Sequence, residues 1–397
     1  MKILVINAGS SSLKFQLFDM PKENPVCAGI ADRIGAATSS FTCKIVTEGN
    51  EQTIETNNPI PDHTAAVQQI LKVLSDPAHP LISDKADIKI VGHRVVHGGE
   101  DFTAATVITP AVKEKIRQLF SLAPLHNPVN FRCIELMEKN FPASQQVAVF
   151  DTAFHQSMPQ RAYRYAIPPD YYQKEHIRVY GFHGISHKYV TSKAREYLQK
   201  DNAKLISIHL GNGCSMTAVE GDRSLDTSMG FSPLNGLVMG TRSGEIDPSV
   251  IFHLVDKFGF NIKRLDQLLN KESGLLGLCG MNDMRDIRKA IDQGNKDASF
   301  ACELYAYRVR KYIGAYMAVL NGLDAIIFTA GVGENDVQMR ELICSELDFL
   351  QISLDKKRNE EKSKQLREIN TDNASIKILV VPTNEELEIA RQCFEMV

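Results

Sequence analysis

The chain has 397 residues, too many for one compact core and a length that suits two domains. With 43% hydrophobic and 23% charged residues and a net charge of −3, it reads as an ordinary soluble globular protein without the basic field that nucleic acid or an anionic membrane requires. No apolar stretch reaches the roughly 18–20 residues that span a bilayer, the Met-Lys start lacks the regions of a signal peptide, and the eight cysteines include no C-x-x-C pair, so free thiols in a cytoplasmic protein are expected rather than zinc or a disulfide framework.

The opening stretch, MKILVINAGSSSLKFQLFD, runs through apolar residues to Asn-Ala-Gly and three serines, as a phosphate loop would. Yet Leu13, Phe15 and Leu17 then alternate with Lys14 and Gln16, the period of a second strand and not of a helix. FTCKIV reads as a strand and TAAVQQILKVLSD as an amphipathic helix stopped by Pro77. DIKIVGHRVVHGG reads as a strand delivering a polar loop. PAVKEKIRQLF is a helix with Pro110 in its first turn. QQVAVFDTAFHQ is a strand ending at Asp151, close to where the halves must divide, and Pro168-Pro169 mark a loop.

KLISIHLGNGCSMTAVEGD then repeats the opening pattern about 200 residues later, a weak sign of duplication. DAIIFTAGVGENDVQMRELICSEL reads as strand, G-x-G turn and helix. IKILVVPTNEELEIARQCF reads as a buried strand, a possible capping box of Thr383 and Glu386, and a closing helix. The charge run DKKRNEEKSKQLREI is expected to be solvated surface. Alternating strands and helices give an α/β class.

Glycine turns follow apolar strands at 7–12, 211–215 and 331–335, where clustered backbone N–H groups can hold an anion. None fits the G-x-x-x-x-G-K-[ST] pattern. Arg94 stands among valines on an interior-looking strand and needs a partner. That partner is either a protein carboxylate or, through the bidentate fork, a substrate carboxylate or phosphate. Asp151 ends a strand, where ligands gather in α/β proteins. His183 and His187 are read in a Gly-flanked loop as candidate donors, and Arg242 in a polar loop suits a transferring phosphoryl group. Glu385, in the first turn of the last helix, could hold Mg²⁺ through water.

Together these segments resemble the acetate kinases, and through them the actin-like ATPase and sugar-kinase superfamily. NAGSSSLKF, GHRVVHGG, LAPLHNP, VAVFDTAFHQ, YGFHGISH, HLGNG, DTSMGFSPLNG, MGTRSGEIDP, NKESGLLG, FTAGVGEN and VPTNEE carry the resemblance, in order along essentially the whole chain. The departures are Ile185 where Thr is usual, Asn235 where Glu is common and Glu245 where Asp is common. The resemblance implies two duplicated βββαβα (ribonuclease H-like) domains with ATP in the cleft between them. The division expected is 1–150 with a returning helix at 384–397, and 151–383 as the nucleotide-binding domain. The hairpin bend at 7–14, with Ser12, is then a phosphate clasp.

The same resemblance implies roles. Asn7 and Glu385 resemble the pair that organises Mg²⁺, with Mn²⁺ as a substitute. Lys14, His209, Leu210, Gly211, Asn212 and Gly213, with Asp283, Met284, Arg285 and Gly331, Val332, Gly333, Glu334 and Asn335, resemble the ATP/ADP site. Arg94 resembles the carboxylate-binding arginine. Val96, Leu125, Phe182 and Pro233 resemble a methyl pocket in which related propionate kinases often have Ala for Val96. His183 and Arg242 resemble the pair that stabilises the phosphoryl in transfer, and Asp151 the catalytic carboxylate. The implied reaction is ATP + acetate ⇌ acetyl phosphate + ADP by direct attack, in a homodimer with no nucleic-acid or membrane partner. The alternatives are a propionate or other short-chain carboxylate kinase, or an actin-like ATPase whose product is conformational change.

Overall fold

The first strand, β1 (Lys2–Ala8), is buried along nearly all its length, as a strand covered on both faces must be. In the second, β2 (Ser12–Asp19), Leu13, Phe15 and Leu17 point inward while Lys14 is exposed, so the alternation read from the sequence is the alternation of its faces. The two pair antiparallel, with Asn7 opposite Lys14. A computed structural model describes residues 1–47, 50–77 and 80–397. It divides the chain into two compact units, Met1–Phe154 with Asn384–Val397, and His155–Thr383.

The first unit is built on a sheet of β1, β2, β3 (Asn24–Asp32), β4 (Ser40–Thr47), β5 (Asn50–Thr56), β6 (Ile88–Val95), β7 (Thr106–Val107) and β8 (Gln145–Phe150), in the order β5-β4-β3-β2-β1-β6-β8-β7. Polar β5, NEQTIET, lacks the apolar pattern that marks the others and escapes a sequence reading. β1, β6 and β8 run parallel. Helices His63–Leu74 and Asn127–Asn140 cover the sheet around a core that includes Leu4, Phe15, Phe41, Ile70 and Met137. Asp62 caps the first of these, accepting from Ala65 N at 2.9 Å.

The second unit has a sheet of β9 (Lys204–Leu210), β10 (Cys214–Glu220), β11 (Arg223–Thr227), β12 (Ala325–Thr329), β13 (Arg367–Glu368) and β14 (Lys377–Val380), in the order β11-β10-β9-β12-β14-β13. That order matches β3-β2-β1-β6-β8-β7 strand for strand, with the same parallel core and antiparallel edges. The duplication hinted at by two similar hairpins is therefore a duplication of topology.

Local details differ from expectation. Pro168 is the N-cap of a helix, Pro169–Glu175, because proline at a first helical position is favourable. The closing helix, Glu385–Phe394, is capped by Asn384, whose side chain accepts from Leu387 N at 3.0 Å, and not by a box of Thr383 and Glu386. His187 is not in a loop: it lies buried in helix Gly184–Leu198. The segment 330–335 is a helix that begins directly after β12, without an intervening turn.

The closing helix returns to the first unit, and Gly92 of β6 admits it. A Cβ at Gly92 would lie 2.8 Å from Cys393 Sγ and 2.9 Å from Ile389 Cγ2. Gly92→Val is expected to cost about 1–3 kcal/mol through overpacking, a fall of roughly 2–12 °C in thermal midpoint by calorimetry. An unchanged midpoint would remove this close approach as the reason for glycine.

Burial also keeps several histidines neutral. It pushes His93, His97 and His155 down to about 4, and His187 well below its ordinary value with help from His155 and His209. The unfolded chain binds a proton at each of these near pH 6.5 and the folded chain does not, so stability falls as pH drops below 6.5 and stops falling near each folded value. Each such histidine contributes a slope of about 1.4 kcal/mol per pH unit in that window. Urea unfolding at pH 7, 6 and 5 is expected to show the decline, with a shallower slope in His93→Gln.

Candidate active site

In the first unit, the C-terminal ends of the parallel strands carry the polar groups. Arg94 on β6 lays its fork on Asp151, just past β8: Nε donates to Oδ1 at 2.9 Å and Nη2 to Oδ2 at 2.6 Å. Nη1 donates to Asn7 Oδ1 at 3.0 Å, and Asn7 Nδ2 donates to Glu386 Oε1 at 2.9 Å. Burial works against the charge of Arg94, but the carboxylates of Asp151, Glu385 and Glu386 outweigh it and hold the guanidinium above its ordinary value. Of the two partners left open for Arg94, the protein carboxylate is the one present. Three of its five N–H groups are engaged, and two have no partner among the described residues.

Asn7 bonds Glu386, with Glu385 next to it in the same first helical turn. Among the described residues no cluster of three or more His, Cys, Asp or Glu could hold a metal. The amide oxygen of Asn7 and the carboxylates of Glu385 and Glu386 are oxygen donors, the kind that suits a hard cation taking one or two protein ligands and filling its shell from phosphate and water. Lys14 is exposed opposite Asn7. Ser12 begins β2, just past the bend closed by Gly9 N donating to Ser12 O at 2.8 Å. Val96 is buried directly after β6, whereas Leu125 is 58% exposed.

The second unit gathers a different set. His183 begins helix Gly184–Leu198 with φ 57°, a left-handed conformation uncommon for a residue with a side chain. Its ring stacks on His209 of β9, with centroids 4.3 Å apart. Its Nδ1 meets Ser215 Oγ at 2.9 Å, and that hydroxyl also meets His187 Nε2 at 2.7 Å. His187 Nδ1 meets Ser207 Oγ at 2.8 Å. His209 Nδ1 is tied through Ser186 Oγ, at 2.8 Å, to Thr383 Oγ1, a further 2.8 Å on.

Arg242 donates from Nη1 to Pro233 O at 2.7 Å, and burial lowers its pKa from the ordinary value. A Cβ on Gly213 would come 2.7 Å from Arg242 Nη2 and 3.4 Å from His183 Nε2. Glycine at this turn therefore lets an arginine and a histidine converge over one backbone position. Phe182, two per cent exposed, offers its carbonyl to His155 Nε2 at 3.1 Å.

Beside that turn lies a cavity of about 840 Å³, within the range of a small-molecule or cofactor pocket. Three separate segments that the sequence proposed for a nucleotide meet in its wall: Gly211 and Asn212, Asp283 to Arg285, and Gly331, Val332 and Asn335. Leu210 and Gly333 are buried behind it. Asp283 caps helix Met284–Asp292 and pairs with Arg285, whose hydrogen bond holds the carboxyl down at about 2.

Sequence reasoning missed the supports of this wall. Arg288 pairs with Asp336 at 3.0 Å within it. Arg340, one per cent exposed, donates from Nη1 to the carbonyls of Gly333 and Glu334, both at 2.9 Å, and from Nε to Asn359 Oδ1 at 2.7 Å. Burial brings it down to about 10, and the carbonyls that end helix Ala330–Asn335 satisfy it. Glu334 Oε1 accepts from Ala330 N at 2.9 Å and Thr383 N at 3.0 Å, so it fixes both the start of that helix and the exit from β14.

The chain matches the model of the acetokinase family over residues 2–391. It is 53% identical to the acetate kinase of Flavobacterium johnsoniae, across 100% of this chain and 99% of that one. Among solved structures it is similar to the acetate kinase of Porphyromonas gingivalis, with 42% identity, a TM-score of 0.91 and coverage of 100% and 99%. It is similar also to a propionate kinase of Francisella tularensis, with 41% identity, a TM-score of 0.90 and coverage of 98% of each chain. With the duplicated sheets and the convergent turn in place, the chain belongs to the acetokinase family.

Proposed function

We propose that the protein transfers the γ-phosphoryl group of ATP to acetate, reversibly, giving acetyl phosphate and ADP. The observation that carries this reading is the convergence of His183 and Arg242 over Gly213, beside a cavity walled by Gly211 and Asn212. Acetate is already ionised at neutral pH and needs no base to attack, so the obstacle is repulsion between two anions. Arg242 and His183 face the phosphoryl group in transfer and offset its charge. Lys14 serves the phosphates, and the cavity takes the nucleoside.

Asp151 acts by orienting Arg94, whose two remaining N–H groups take the acetate carboxylate. Val96, Leu125, Phe182 and Pro233 are assigned to its methyl side. Mg²⁺, or Mn²⁺ in its place, supplies charge neutralisation when bound. Asn7 and Glu385 would hold it, the amide of Asn7 being kept in one orientation by Arg94 and Glu386. A cytoplasmic location accords with eight free cysteines, and among the described residues no helix is long and apolar enough to cross a membrane. A homodimer accords with helix Pro248–Phe258, which buries no residue and exposes Phe252, Val255 and Phe258 beside Ile262.

Likeness to a propionate kinase leaves the acceptor to the pocket, and Val96 favours the smaller acid. Incubation with MgATP, acetate and hydroxylamine is expected to give acetohydroxamate, which an ATPase coupled only to conformational change would not form. Arg242→Ala is expected to cost about 10³–10⁵ in kcat with the thermal midpoint nearly kept. Val96→Ala is expected to shift the propionate-to-acetate ratio of kcat/KM upward by roughly 10–200-fold, the worth of one methylene in an apolar pocket. An unmoved ratio would count against this pocket.

A further inference from the structure

The parallel register of β1 and β6 runs as far as Ile6 and His93 and then stops. β1 stays paired with β2 to its end at Ala8, and β6 stays paired with β8 to Val95. The neighbouring strands thus part company over their last residues, where Asn7 and Arg94 stand. Two bridges cross this opening. One is the hydrogen bond from Arg94 Nη1 to Asn7 Oδ1.

The other comes from Asn130, one per cent exposed, on helix Asn127–Asn140. Its Nδ2 donates to Ala8 O at 2.7 Å, and its Oδ1 accepts from Val96 N at 3.1 Å. A side-chain amide has the donor and acceptor of a peptide group. Here it replaces the ladder bond that the two strands no longer make, so the opening has a set width. Asn127, one turn earlier, does something different: both hydrogen bonds of its side chain go to the backbone of a single residue, His97.

We propose that Asn130 is a positioning residue for the acceptor carboxylate. It fixes the spacing between the Asn7–Ala8 end of β1 and the Arg94–Val96 end of β6, and with it the depth of the pocket wall at Val96. The inference rests on the proposed reading of Arg94 and Val96 as the acceptor side. Its physical content is that a small displacement of a positioning group is costly in rate: about 1 Å can cost on the order of 10²-fold. Asparagine in a helix is a poor helix former, so this position serves the strands rather than its own helix.

Asn130→Asp separates the two bridged ends. The carboxylate still accepts from Val96 N but sets an oxygen against Ala8 O, releasing β1 alone. Asn130→Ser, smaller and able to keep one bond, serves as a second variant held to the same criterion should the first not fold. Ile70→Ala, a buried core position on helix His63–Leu74, supplies a loss of stability in the same unit that removes neither bridge. Steady-state kinetics with acetate and propionate are compared across these proteins and Val96→Ala.

The expected result is a KM for acetate raised about tenfold or more in the Asn130 variant. The propionate-to-acetate ratio of kcat/KM should move at least threefold toward propionate, with Ile70→Ala leaving the ratio in place. A ratio moved less than twofold, or moved toward acetate, while the midpoint falls as in Ile70→Ala overturns the positioning role. If Val96→Ala also leaves the ratio unmoved, the reading of the acceptor site falls with it. If Val96→Ala moves the ratio and the Asn130 variants do not, only the positioning role falls.

Discussion

A guanidinium withdrawn from water must find its countercharge in the protein, and the first unit is arranged around that requirement. Arg94 reaches from one parallel strand to the carboxylate just past the next, and its third contact reaches back to β1. Removing one partner of such a pair leaves an uncompensated charge, at a cost of about 3–5 kcal/mol. The ends of β1, β6 and β8 are thus held to one another by side chains beyond the reach of the backbone ladder. A set of this kind keeps its geometry without help from a ligand.

The second unit is arranged by leaving out a side chain and by holding its rings in place. Gly213 clears the space that Arg242 and His183 share. Around them, Ser215 Oγ joins His183 to His187, Ser207 Oγ holds the other nitrogen of His187, Ser186 Oγ joins His209 to Thr383, and burial keeps His187 without a charge. A neutral ring can donate on one side only while it accepts on the other. The serine hydroxyls can supply whichever role each ring lacks, and this fixes ring orientation.

The fold was legible wherever one residue type dictates one backbone. The period-two pattern of β2, Pro110 at a helix start and the similar hairpins at β1–β2 and β9–β10 all depend on local sequence. Helix Ala330–Asn335 was not legible as a helix, because glycines at 331 and 333 read as a turn and because Ala330 adopts φ 65°, which nothing in an alanine announces. Arg94 showed its need for a partner, but one sequence could not say whether the partner was Asp151 or a ligand. Arg340 and Asn130 gave no signal at all: apart from the Asn359 side chain, their partners are carbonyl and amide groups of the backbone, which every residue carries. Buried polar side chains that bind main chain are invisible until the fold brings that main chain to them.

The return of the last helix to the first unit has a consequence for how the protein is made. His155–Thr383 is in effect an insertion within the first unit, entered after Phe154 and left before Asn384. During synthesis β1 and β6 emerge early, yet the side chains that fill the hollow at Gly92, those of Ile389 and Cys393, come only with the closing helix. The second unit can therefore assemble while the first still shows an uncovered apolar face to the cell. That face stays open until the closing helix has been made and has packed against β6.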